Sequence, residues 1–372
     1  MYLSNYRGVA KLLRRNPRWI LVAYDNLSHQ LHHRISANSL NGRSHPPEVI
    51  NAFVTDICNL GCRECHYANS DKPGFSLNQV GHMEPKTFYK FIDEIPGRPL
   101  VSFTGGEPLI HPQIFDLIRY AKNKGRMCTL VTNGWFLEEK AEQVCDSDLD
   151  LLSISVDGPR ETHNAIRGSN SFERLEKGLH KILEQPKRPT LFISLTISDM
   201  NYDQLVPTYQ LAKKWGVDGI NFNHLWMQTD EMVERLDTIT TLFTGDHVGW
   251  PVNNNDIDVE ILADGLEIIR DISWGGKIIV TELPLLNRQE ISDWYRKPEK
   301  PIKHRTVRCG WIRMKLWADG KIKPCRDWEV GDINKQHALE IWNGQEYQQF
   351  RQLLNEQGML PICSRCCFIA HR

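Results

Sequence analysis

No apolar run in this chain approaches the roughly 20 residues that a membrane helix needs, so no spanning segment is expected. An excess of one charge sign is also missing: 45 Lys and Arg face 46 Asp and Glu, for a net charge of -1. Proteins whose main partner is a nucleic acid or an anionic membrane usually carry a basic excess, and nucleic acid is accordingly not expected as a partner. The opening residues, Met1-Tyr2-Leu3-Ser4-Asn5-Tyr6-Arg7, lack the apolar core and cleavage pattern of a secretory signal. Internal repeats and low-complexity tracts are absent as well. The expected location is the cytoplasm, where the ten cysteines read as ligands or buried thiols rather than disulfides.

What is present is a grouping of those cysteines. Cys58, Cys62 and Cys65 fall within eight residues as C-x3-C-x2-C, directly after an apolar run at 49–55 that reads as a strand. The thiols therefore lie on the loop leaving a strand's C-terminal end, the edge where α/β proteins place their chemistry. Three thiolates so close repel one another unless a cation holds them. Structural zinc would need a fourth ligand, from His66 or from farther away. A four-iron cluster with one iron open needs only these three. Five more, Cys309, Cys325, Cys363, Cys366 and Cys367, lie toward the other end. Cys128 sits in an apolar strand and Cys145 at a helix end; both read as buried small residues, with a thiol hydrogen donor as the alternative.

Four regions follow. Residues 1–47 form a basic N-terminal extension in which Arg14, Arg15, Arg18 and Arg34 are interleaved with Leu12, Leu13, Trp19 and Ile20. It reads as helix packed on the body, with peripheral membrane contact as the sharper alternative. Residues 48–228 alternate strands (50–55, 99–103, 127–131, 151–156, 190–196, 219–223) with helical stretches near 85–94, 112–124, 137–145, 171–184 and 203–215. Mostly continuous apolar strands predict a parallel sheet covered on both faces. Six units are too few for a closed eight-stranded barrel, so the fold class is α/β with a partial (β/α)6 TIM-like barrel or open sheet. Residues 229–304 read as connecting helices, a strand at 277–280 and a linker marked by Pro298 and Pro301. Residues 305–372 form a small cysteine-rich domain that opens with a hairpin turned at Asp319-Gly320.

The strand at 99–103 leads into Gly105-Gly106-Glu107-Pro108. Paired glycines there permit close backbone approach to a ligand. Coming one strand after the triad, this motif resembles the radical S-adenosylmethionine (SAM) superfamily, whose mark is C-x3-C-x2-C followed by Gly-Gly-Glu. The resemblance implies that Cys58, Cys62 and Cys65 ligate a [4Fe-4S] cluster whose open iron is chelated by SAM. It further implies that Gly105, Gly106 and Glu107 hold the methionyl ammonium. Ser153-Ile154-Ser155-Val156-Asp157-Gly158 matches the fourth-strand segment, which assigns Ser155 and Asp157 to the SAM site. His163-Asn164-Ala165-Ile166-Arg167-Gly168 resembles the element that follows, with Asn164 in place of the usual Asp. Arg167 there faces the SAM carboxylate, and Ser194 with Thr196 lies on the ribose side. Glu64 stands where members usually carry an aromatic residue beside the adenine; the nearest aromatic is Tyr67.

Cys309, ten residues, Gly320, four residues and Cys325 match the opening of the SPASM/twitch appendage of one branch of that superfamily. The resemblance implies a second, auxiliary [4Fe-4S] cluster held by Cys309, Cys325, Cys363 and Cys366, with Cys367 as the competing fourth ligand. A zinc ribbon is the alternative reading of the same spacing. The implied activity is reductive cleavage of SAM to a 5′-deoxyadenosyl radical that abstracts hydrogen from a substrate, fed by a reductant such as flavodoxin or ferredoxin. An auxiliary cluster with four protein ligands favours electron acceptance and net oxidation. The leading substrate is a small or lipid-like metabolite; the alternatives are peptide maturation, epimerisation and, in a different class, a zinc-binding module without activity. Asn221, Asn223 and His224, at the end of the sixth strand, are expected to line the substrate pocket.

Overall fold

The computed structural model describes residues 41–63, 65, 81–241, 256–325 and 328–371, with four isolated positions before them. Most of the 1–47 extension, Glu64, His66 and Tyr67 therefore lie outside the described residues.

Six strands run parallel and side by side in chain order: β1 (Val49–Thr55), β2 (Leu100–Gly105), β3 (Cys128–Thr132), β4 (Leu151–Ser155), β5 (Thr190–Ile197) and β6 (Gly219–His224). Between them lie α1 (Pro85–Glu94), α2 (Ile114–Asn123), α3 (Leu137–Asp146), α4 (Arg160–Arg167), α5 (Ser171–Glu184) and α6 (Leu205–Trp215). After α7 (Asp230–Ile239) and α8 (Val259–Ser273), β7 (Ile279–Leu283) adds a seventh parallel strand beside β6. The sheet stays open, which agrees with a partial barrel.

The expectation that both faces are covered needs correction. Side chains alternate along a strand, and only one phase is sealed. Ile50, Ala52, Val54, Val101, Phe103, Leu130, Leu152, Ile193, Leu195, Ile220 and Phe222 are fully buried on the helix-covered face. The opposite phase is half-buried and largely polar, with Asn51, Ser102, Thr104, Thr129, Ser153, Ser155, Ser194, Thr196, Asn221, Asn223 and Thr281 alongside Phe53, Val131 and Phe192. Right-handed crossovers made in one direction put every helix on the same side. The other side is left as the inner, concave face.

The C-terminal residues extend this sheet. β8 (Arg305–Val307) pairs antiparallel with β12 (Ile369–His371). After α10 (Cys309–Ile312), β9 (Arg313–Leu316) runs parallel to β1, matching Val49 with Arg313 and Asn51 with Lys315. The expected hairpin then returns through β10 (Lys321–Ile322) to β11 (Gly331–Asp332), making ten strands ordered β11-β10-β9-β1-β2-β3-β4-β5-β6-β7. Helices α9 (Arg288–Arg296), α11 (Ala338–Trp342) and α12 (Gln345–Gln357) complete the layer.

Two enclosed guanidinium groups tie this region down. Arg351 donates to the carbonyls of Gly310 (2.8 Å) and Gly42 (2.9 Å), between the rings of Trp342 and Tyr347. Arg365, between Cys363 and Cys366, donates to the carbonyls of Trp294, Asp293, Lys297 and Lys300 at the C-terminal end of α9 and beyond. Cations are favoured at that helix end, where carbonyls lack helical partners.

Candidate functional site

The loops leaving β1 and β2 are locked together by backbone. Gly106 N donates to Thr55 O and Glu107 N to Ile57 O, both at 2.8 Å. A Cβ at Gly105 would stand 2.2 Å from Thr55 O, and one at Gly106 2.2 Å from Ile57 O. Gly105 also has φ +133°. The paired glycines are thus required first by the cysteine loop itself, which passes too close for any side chain.

This packing opens a cavity of about 230 Å³ at the C-terminal ends of β1 to β5. Cys58, Cys62, Cys65, Gly105, Gly106, Ser155, Asp157, Arg167 and Thr196 all line it, so residues spread over more than a hundred positions of sequence meet in one place. Ser194 and Glu107 are not among its lining residues.

Glu107 stands behind the wall. Its carboxylate is buried and accepts from Leu109 N (2.9 Å), Thr132 Oγ1 (2.8 Å) and Asn133 N (2.7 Å). Burial raises its pKa against those hydrogen bonds, which lower it. In this arrangement it braces the end of β3 against the turn after β2. Asp157 and Arg167 form a buried pair at 2.5 Å, with side-chain exposures of 4% and 15%. The other Asp157 oxygen accepts from Thr196 N (3.1 Å), and Arg167 Nη1 points toward Cys62 Sγ (3.9 Å). Burial opposes the Arg167 charge, but the Asp157 carboxylate more than compensates and holds it protonated. Burial also pushes the Cys62 thiol up to about 11, and Arg167 only partly offsets this. Such a thiol stays neutral until a metal takes its proton's place.

Asn133 was not singled out from sequence. Its side chain donates toward Cys58 Sγ (3.8 Å) and to Asn59 Oδ1 (2.9 Å), supporting the first cysteine from the neighbouring strand. The available signal was the polar run Thr132-Asn133-Gly134 at a strand's C-terminal end.

The substrate-pocket residues divide by the strand period. Asn221 and Asn223 are on the inner face, where Asn223 Nδ2 donates to Ser194 Oγ (2.8 Å) and Thr281 Oγ1 to Asn221 Oδ1 (2.8 Å). Ser194 therefore belongs to a polar lattice across β5, β6 and β7. His224 is corrected: it points to the opposite, helix-covered face, buried against Tyr295 (2.9 Å) and Glu282 (3.4 Å).

In the second group, Cys309, Cys325, Cys363 and Cys366 lie within one another's electrostatic reach, and burial pushes the Cys309 thiol up to about 12. Cys367 hydrogen-bonds Cys366 and faces Arg313 and Lys315. Four soft donors, one buried and three half-buried, suit iron held by thiolates. Among the described residues no three His, Cys, Asp or Glu side chains close on a single-ion position. Cys128 and Cys145 are buried away from both groups, as expected of packing residues.

An open parallel sheet with a cysteine loop on β1 and paired glycines on β2 defines a class. Residues 53–212 match the radical SAM superfamily and residues 308–367 an iron–sulfur cluster-binding (SPASM) domain. The chain carries a radical SAM domain and a SPASM domain, which imply SAM, a [4Fe-4S] cluster and further iron–sulfur as cofactors. It is similar to the AdoMet-dependent heme synthase of Methanosarcina barkeri, 34% identical over 175 residues, 46% of this chain and 48% of that protein. It is also similar to the tungsten-containing aldehyde ferredoxin oxidoreductase cofactor-modifying protein of Pyrococcus furiosus, 22% identical over 84% of this chain and 85% of the relative. Against the heme synthase the match spans about half the relative's length. Among solved structures, Streptococcus suis SuiB bound to S-adenosylmethionine shares the fold, with TM-score 0.63, 15% identity and 88% and 73% of the two chains covered.

Proposed function

We propose that this chain is a radical SAM oxidoreductase acting on a small or lipid-like metabolite, with a SPASM cluster as the electron acceptor. The observation that carries it is the pairing of β9 with β1. It makes the auxiliary thiols neighbours of the inner face rather than members of a separate module. When bound, SAM on the first cluster supplies a hydrogen-abstracting radical, and a second cluster supplies a seat for one electron.

The chain's own residues do the positioning. Cys58, Cys62 and Cys65 hold the first cluster, and Gly105 and Gly106 leave bare backbone at the ammonium end of SAM. Arg167, fixed by Asp157, offers its remaining donors to a carboxylate. Ser155 and Thr196 line the sugar side. Cys309, Cys325, Cys363 and Cys366 hold the second cluster. The sealed outer face keeps water from the reacting carbon except through the concave opening. The names of the two relatives, a heme synthase and a cofactor-modifying protein, support a metabolite over a peptide as substrate. Among the described residues no helix is long and apolar enough to cross a membrane.

Anaerobically reconstituted protein is expected to bind about eight irons and to release 5′-deoxyadenosine with a flavodoxin, ferredoxin or dithionite as reductant. Cys58→Ala abolishes that release. Cys309→Ala keeps it but ends substrate turnover. A colourless zinc protein, or cleavage lost equally in both variants, refutes the division of labour.

A further inference from the structure

On the inner face, β9 and the residue just past the return strand present a strip of cations. Register places Arg313 beside Val49 and Lys315 beside Asn51, and Lys323 N bonds back to Lys315 O across the hairpin. All three side chains are half-buried and share the face that carries Thr104, Ser155 and Thr196 toward the SAM cavity. Phe368 packs on the Arg313 guanidinium (4.3 Å to the ring centroid), and Trp317 lies flat on Phe53 (4.4 Å between centroids) under Lys323 (5.2 Å).

These cations are under-used. A guanidinium has five donors and an ammonium three. Among the described residues Arg313 spends one hydrogen bond, to Asn51 Oδ1 (3.4 Å), and neither Lys315 nor Lys323 has a carboxylate partner. Lys321, on the same hairpin face, shows the ordinary outcome: it is paired with Glu329 at 2.8 Å. Burial is the largest influence on the Arg313 charge and opposes it; the thiols of Cys367, Cys309 and Cys366 and then the Glu48 carboxylate offset it only in part. A half-buried positive strip between two aromatic walls, with most donors unspent, is built for anionic oxygen.

We propose that Arg313, Lys315 and Lys323 bind an anionic group of the substrate, a carboxylate or a phosphate, at the β9 edge of the inner face. The substrate then lies across the sheet from this strip, with its reacting carbon toward the SAM cavity. The proposal rests on the oxidoreductase reading for the location of the substrate, and it adds the chemistry of one end.

The test is calorimetric titration of the reconstituted full-length protein, with SAM present, using citrate and pyrophosphate as separate probes. At least one is expected to bind at millimolar concentration or tighter, and the stronger probe tells carboxylate from phosphate. Lys315→Met and Arg313→Met each weaken that binding tenfold or more, Lys315→Arg restores it, and Lys321→Met leaves it unchanged. Iron content and thermal midpoint, measured on every variant, show which proteins are intact; should Arg313→Met fail to fold, the Lys315 pair decides. No binding by either probe overturns the proposal. So does unchanged binding in Lys315→Met alongside an altered auxiliary-cluster spectrum, because the cations would then serve only to balance the cluster. Release of 5′-deoxyadenosine is assayed separately. If the wild type gives none, the enzymatic reading fails while the anion result still stands or falls on its own.

Discussion

Replacing Asp157 with Asn tests whether the buried ion pair organises the SAM cavity. Asp157 gives one oxygen to Arg167 at 2.5 Å and the other to Thr196 N at 3.1 Å. Asn can keep the second bond. At the first position it presents either a weaker neutral oxygen or an amide facing another donor, and it leaves a guanidinium enclosed without its counter-charge. Breaking one side of a buried pair costs about 3–5 kcal/mol, and the slight exposure of Arg167 argues for the lower end. That is a large part of the roughly 5–15 kcal/mol that holds a domain folded. The urea midpoint is expected to fall, and SAM binding, measured by equilibrium dialysis, to weaken at least tenfold because Arg167 can turn away from the carboxylate of SAM that it is proposed to meet. The double variant Asp157→Asn with Arg167→Met separates the two effects: removing both charges restores much of the stability and none of the binding. If Asp157→Asn unfolds at the wild-type urea concentration and binds SAM as tightly, the pair does not organise the cavity and the reasoning fails.

Gly106→Ala forces a methyl group to within 2.2 Å of Ile57 O. Overpacking of this kind costs about 1–3 kcal/mol, and the shifted cysteine loop is expected to lower iron retention after gel filtration. Arg365→Met removes the guanidinium hydrogen bonds to four carbonyls around the end of α9, of which those of Asp293 and Lys297 keep a backbone donor; iron content should fall by about half while 5′-deoxyadenosine release persists, and equal loss of both would show that Arg365 supports the whole fold. His163 is buried, and its Nδ1 accepts from Asp157 N (3.2 Å), an acceptor role that only the neutral ring can play. Burial first, then Arg167, depress its pKa from 6.5 to about 4. Between those values the unfolded chain binds a proton that the folded chain refuses, so stability falls as pH drops through that window, by about 3 kcal/mol at most. His163→Gln should flatten that part of the pH–stability curve, and an unchanged slope would move the effect to other groups.

Much of the core was legible because its signals are local. Each of the first six strands starts and ends within two residues of its apolar run, since a parallel strand buried on one face needs branched apolar residues there. The cysteine triad and Gly-Gly-Glu are short motifs whose spacing survives folding. Less legible was what depends on side-chain phase. His224 ends the same strand as Asn221 and Asn223 but is one residue off their period, so it leaves the pocket. Glu107 reads as a ligand in a motif, yet the fold encloses it with three donors. Helix α9 falls in the stretch read only as connecting helices and linker, although Asn287 and Glu290 form a capping box that the sequence displays. Helix α12 carries few apolar residues, and Tyr347, Phe350 and Leu354 are its buried hydrophobic positions, so its pattern was faint.

The pairing of β9 with β1 lay beyond sequence reasoning, because no motif records which edge a distant strand will choose. It has the larger consequence. β1 ends in the Cys58 loop and, along its free edge, receives the strand that follows Cys309. Both cysteine groups are therefore indexed to one strand. A slip of one residue between β9 and β1 would turn Arg313 and Lys315 toward the helices and bring Met314 and Leu316 onto the polar face. Met314 and Leu316 are fully buried against the helix layer, so that slip exposes apolar surface on one side and buries charge on the other. The hydrophobic pattern of four residues thus holds the second cysteine group at a set distance from the first. A flexible linker would let that distance vary, and the electron-acceptor role proposed for the second cysteine group is better served by a rigid ladder.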